Sequence, residues 1–113
     1  MKPTTKYPRQ KVSVLIIVYN TPAAILTEAV ISLLNQSRQP DEIVIVNNGS
    51  AEPETNFYLD IINGHRDRIK VLNVNKCDNP VLIGLQNCKY ELVLHFRPVD
   101  KAKYDLIKNL KLK

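Results

Sequence analysis

Amide and hydroxyl side chains recur in this sequence where apolar runs end. Tyr19, Asn20 and Thr21 follow the first run, and Asn47, Asn48, Gly49 and Ser50 close the second. Asn75, Lys76 and Cys77 follow a third, and Arg97 and Asp100 follow a fourth. Such groups offer both donors and acceptors, suited to a nucleobase, a ribose or a sugar. Gly49 admits a positive backbone φ in its loop. Asparagine and glycine are also turn formers, so the same residues could serve the chain alone. Deciding between the two requires the elements that carry them.

Val12–Val18 is almost continuously apolar and β-branched. A run without alternation fits a strand covered on both faces, as in a parallel sheet. Thr21 and Pro22 then read as cap and first residue of a helix, with Ala23, Leu26, Val30, Leu33 and Leu34 at helical spacing as far as Asn35–Ser37. Glu42–Asn47 is predicted as the second strand. Pro53 opens a second helix with Phe57, Leu59, Ile61 and Ile62 as its buried side, stopped at Asn63-Gly64. Ile69–Val74 alternates more and suits a strand nearer an edge. Asn79-Pro80 repeats the cap-plus-proline signal before a short helix over Val81–Lys89, despite Gly84. Glu91–Phe96 is predicted as the fourth strand and Asp100–Lys111 as a last helix. Alternating strands and helices imply an α/β fold with a parallel four-stranded sheet and right-handed crossovers. In such sheets ligands bind beyond the carboxyl ends of the strands. The first two strands are expected to deliver Tyr19 and Asn48 to one crevice.

The 113 residues suit one domain, read as a flexible basic arm over residues 1–11 followed by a single α/β domain over 12–113. The net charge of +5 is uneven: residues 1–11 and 97–113 each carry +4, leaving −3 for the middle. Basic ends on a neutral-to-acidic body do not make the basic, aromatic-studded face of a nucleic-acid binder. They read as solvated tails, with peripheral contact to an anionic membrane as the lesser alternative. The C-terminal KAKYDLIKNLKLK is read as a helix covering the sheet rather than one lying on lipid. With no leader-like or membrane-spanning run, the cytoplasm is the expected location. Cys77 and Cys88 fit no metal spacing and read as free thiols. Neither GxxxxGK(S/T) nor GxGxxG occurs, which disfavours a P-loop or dinucleotide-binding protein.

The stretch from Val12 to Ser50 resembles the start of the family 2 glycosyltransferases. Tyr19-Asn20 matches the pair that ends the family's first strand, and Asn47-Asn48-Gly49-Ser50 stands where the family has Asp-Asp-Gly-Ser or Asp-Asn-Gly-Ser. Ala29, Ser32, Leu33 and Asn35-Gln36-Ser37 look like the helix text between them. The resemblance is specific over residues 12–50 and weakens beyond residue 75. It implies the Rossmann-like nucleotide half of a GT-A fold, a three-layer sandwich with strand order 3-2-1-4. It further implies recognition of a nucleotide-sugar donor, with sugar transfer to an acceptor hydroxyl. By the same resemblance Tyr19, Asn20, Asn48, Gly49 and Ser50 belong to the donor site, with the Tyr19 ring near the base.

Departures from the family are concentrated later. Gly84-Leu85 keep the end of its Ala-Arg-Asn-x-Gly stretch, but Pro80, Val81 and Leu82 replace the rest. Its Asp-x-Asp motif, which holds Mg²⁺ or Mn²⁺, is replaced by Arg97-Pro98-Val99. Those residues are not hard oxygen ligands, so no metal cofactor is supported. Arg97 is a candidate cation for the diphosphate in its place. His95 reads as a packed or half-buried strand residue. The family's acceptor half, which carries the general base, has no counterpart here, so the expectation is an incomplete or weakly active transferase domain, with no catalytic residue assigned. The alternative is a non-catalytic α/β module binding a nucleotide or a protein. No motif speaks to base, sugar, acceptor or oligomeric state.

Overall fold

The computed structural model describes residues 10–36 and 38–98. The expected arm and final helix therefore lie almost wholly outside the described residues. Within them the chain forms β1 (Val12–Val18), α1 (Ala23–Leu34), β2 (Glu42–Asn48), α2 (Pro53–Ile62), β3 (Ile69–Val74), α3 (Pro80–Asn87) and β4 (Leu92–His95). The strands pair in parallel in the order β3-β2-β1-β4, as the resemblance implies.

Val12, Val14, Ile16 and Val18 form one core with Leu26, Ala29, Val30 and Leu33 of α1 and Leu59 and Ile62 of α2. Leu15 turns to the other face, where it joins Val44, Val46 and Val81 of α3. Helices on both faces explain why β1 shows no alternation. Gly84 is what lets α3 approach, because a Cβ there would stand 2.3 Å from Leu15 Cδ1. The glycine that weakens the helix pattern is thus required by the layer spacing. As expected, β3 is an edge strand, and its exposure rises toward Val74.

Four local expectations are corrected. Thr21 does not cap α1; Pro22 holds the cap position in an extended conformation (φ −54°, ψ 137°), and the Thr21 carbonyl accepts from the Thr55 hydroxyl. The buried side of α2 is Thr55, Leu59 and Ile62, while Phe57 and Ile61 face outward. Those two sit on the opposite side of a 3.6-residue turn from Leu59. β2 runs one residue further than expected, because Asn48 still pairs with Val74. His95 lies in β4 but is exposed, since β4 is the other edge of the sheet. A short 3₁₀ turn at His65–Asp67, unforeseen in the sequence, follows Gly64, whose φ of 83° ends α2 as Asn63-Gly64 predicts.

Candidate functional site

All four strands point the same way, so the loops after β1, β2, β3 and β4 lie along one edge of the sheet. Asn20 joins the first two of these loops. Its backbone is left-handed (φ 52°), a region asparagine tolerates better than most residues. Its N–H donates to Ser50 Oγ at 2.9 Å, and its Oδ1 accepts from the N–H groups of Ala51 (2.7 Å) and Glu52 (3.2 Å). Those are donors at the entry to α2, which has no cap from its own Glu52 side chain. Asn20 therefore caps a helix at a distance in sequence.

The two asparagines ending β2 act on different neighbours. Asn47 donates from Nδ2 to Asn56 Oδ1 (2.8 Å) and Asn73 Oδ1 (2.9 Å), and its own Oδ1 accepts from the Ser50 N–H. Asn56 in turn donates to the Ser50 carbonyl. Asn48 faces the loop after β3, accepting from the Cys77 N–H at 2.9 Å and donating to the Cys77 carbonyl at 3.3 Å. This paired contact copies a peptide hydrogen-bond pattern and holds the loop against β2. Gly49 permits the same approach: its φ is 74°, and a Cβ would lie 2.8 Å from the Lys76 nitrogen.

Tyr19 is half exposed, and Lys76 Nζ stands 4.6 Å from its ring centroid. The structure thus brings Tyr19, Asn20, Asn48, Gly49 and Ser50 into one assembly of three loops. Tyr19 and Asn48 meet through adjacent residues, Lys76 and Cys77. Arg97 follows β4 at the same sheet edge and is exposed. Sequence reading placed Lys76 at this edge but gave it no role. The missed signal was Gly49, whose bare Cα marks a close approach by another backbone.

Two cavities lie nearby. One of ≈ 350 Å³ is bordered by Asn20, Pro22, Glu52, Glu54 and Thr55. The other, an apolar groove of ≈ 610 Å³ between α1 and α2, is lined by Phe57, Tyr58 and Ile61. Both carry Glu54, so neither favours a diphosphate. Cys77 and Cys88 are free thiols, each half-buried. Among the described residues no group of three His, Cys, Asp or Glu side chains could hold a metal ion. A divalent cation of the kind the resemblance implies does not fit Arg97 and the amides gathered here.

A family model described as glycosyl transferase family 2 matches residues 13–94. No curated protein matches the chain in sequence. Among solved structures, S. aureus TarS is similar over 88% of this chain and 18% of its own, at 24% identity and a TM-score of 0.70. TarS 1–349 in complex with UDP aligns over 88% of this chain and 30% of its own, at 24% identity and a TM-score of 0.71. A further structure of TarS 1–349 gives the same identity and TM-score and is covered over 31%. The likeness is one of fold, and the chain spans less than a third of each structure.

Proposed function

This chain belongs to glycosyl transferase family 2, and we propose that its three-loop edge binds the nucleotide portion of a nucleotide-sugar donor. The observation that carries this reading is the convergence of the Tyr19, Gly49 and Lys76 loops around an exposed aromatic ring. The family resemblance puts the Tyr19 ring near the base, and an exposed ring there offers a stacking platform. Asn48 retains one free Oδ1 lone pair and one Nδ2 hydrogen beyond its contacts with Cys77. Arg97, beyond β4, is the candidate for contact with the diphosphate from the other end of the row. Sugar transfer to an acceptor hydroxyl is the reaction we assign, and no described residue is assigned as its general base. No membrane-crossing helix occurs among the described residues. A reducing, cytoplasmic setting suits the two free thiols.

Calorimetric titration with UDP, CDP, GDP and ADP tests the reading. One of these should bind, and Tyr19→Ala should weaken it about tenfold, the worth of one base-stacking platform. Arg97→Ala should weaken it by a similar factor. A second reading, a non-catalytic module, is favoured by one observation: Asn47, Asn48 and Asn20 all hold loops together through their amides. Absence of binding to all four nucleotides would leave that reading in place.

A further inference from the structure

We propose that Lys76 recognises the donor's diphosphate by leaving the Tyr19 ring when the base arrives, so that a side-chain cation takes the role the family gives to a metal. The inference rests on the donor reading above and adds to Arg97 a second diphosphate contact, from the loop after β3.

Lys76 is held at its backbone, while the residue is exposed. Asn48 bonds both the N–H and the carbonyl of the next residue, Cys77, and Gly49 abuts the Lys76 nitrogen. From there the side chain crosses the loop after β2 and sets its ammonium over Tyr19, at the end of β1. The ring that should take a base is therefore already covered by a cation. An exposed ammonium–ring contact is weaker than a charge-assisted hydrogen bond to a phosphate oxygen. A ligand carrying both a base and a phosphate can thus exchange partners favourably on both sides: the base takes the ring and the phosphate takes the ammonium. A nucleoside alone would displace the lysine with no compensating anion. The amides at Asn47 and Asn48, in place of family carboxylates, leave no acidic side chain at the end of β2 to compete for the ammonium.

Titration of UDP and of uridine into wild type, Lys76→Met and Lys76→Arg, each with EDTA and with Mg²⁺, tests this. Methionine keeps the length and apolar stem, and Lys76 is exposed, so folding should be retained. The expected pattern has opposite signs. Lys76→Met should lose about tenfold or more for UDP, while uridine binds as well as or better than to wild type. Lys76→Arg should stay within about threefold of wild type for UDP, and Mg²⁺ should change wild-type affinity by less than about twofold. Equal shifts for UDP and uridine, or unchanged UDP binding in Lys76→Met, overturn the assignment while the donor reading stands. So does Mg²⁺ tightening wild type more strongly than that. If wild type binds CDP, GDP or ADP instead, that nucleotide and its nucleoside replace UDP and uridine in the same comparison; if it binds none of the four, the donor reading fails and the Lys76 inference with it.

Discussion

The two edges of the sheet solve opposite problems with polar side chains. At the edge where the strands begin, Glu42 is buried, and its Oε1 accepts from Ser13 Oγ and the Lys89 N–H, both at 2.8 Å. Its Oε2 lies 3.9 Å from Lys70 Nζ. Asp41 accepts from the Val12 N–H, and Arg68 donates to the Pro40 carbonyl. There the charged groups tie strand starts to loops. At the edge where the strands end, the buried work falls to neutral amides, and the charged Lys76 stays exposed on an exposed ring. Burying a charge is costly unless it is fully hydrogen-bonded. The difference teaches that this protein places its costly carboxylate where it joins strands and keeps an exposed cation where the strands end.

Breaking the first edge should give the largest effect. Glu42→Ala leaves the Ser13 hydroxyl and the Lys89 N–H without their shared acceptor in a buried place, and should cost about 2–4 kcal/mol of stability. Glu42→Gln keeps an oxygen at the same position and should cost about 1 kcal/mol. Urea unfolding of both variants measures the gap. Equal losses would mean that the charge, rather than the acceptor, holds this edge.

The contrast sharpens at two glycines with similar backbones. Gly49 (φ 74°) would place a Cβ 2.8 Å from the Lys76 nitrogen, whereas Gly64 (φ 83°) would meet nothing within 4 Å. Both carry the cost of alanine in the left-handed region, about 1 kcal/mol. Only Gly49→Ala must also move backbone, which should add about 1–2 kcal/mol. Thermal or urea unfolding should therefore rank Gly49→Ala well below Gly64→Ala. Similar losses would show that the loop after β3 is free to retreat, and would weaken the view that Lys76 is held in place.

Much of this fold could be read from residue patterns because the strongest patterns were also the most deeply buried. The unbroken run of β1, the proline at the start of α2 and the Asn79-Pro80 pair, whose Oδ1 accepts from the Leu82 N–H, each reported a local physical need. Strand order was not local information and came from the family likeness. The misreadings have a common cause. Thr21 had the composition of a cap for α1, but Pro22 takes that position and the Thr21 carbonyl is engaged by Thr55, 34 positions away. Phe57 and Ile61 had the composition of core residues but occupied the outward turn of α2. At the site the residue types were legible, but their partners were not. The pairing of Asn48 with Cys77 spans 29 positions and depends on sheet registry that no short motif encodes.

The smallest expected effect lies beside Glu42 and depends on pH. Burial pushes the Cys88 thiol up, and the neighbouring Glu42 charge raises it further. Burial likewise raises the Tyr58 hydroxyl. Both groups bind their protons more tightly in the folded chain than in the unfolded one. Their contribution to stability is therefore complete below the unfolded values, about 8.5 for a thiol and about 10 for a phenol, and is lost as pH rises through the folded values. Stability should accordingly begin to fall above about pH 8.5, first through Cys88 and then through Tyr58. Cys88→Ala should remove the earlier part of that fall and leave the later part. Unfolding curves measured for wild type and Cys88→Ala from about pH 8 to 11 would separate the two parts. A slope unchanged in Cys88→Ala would reverse the assignment to that thiol.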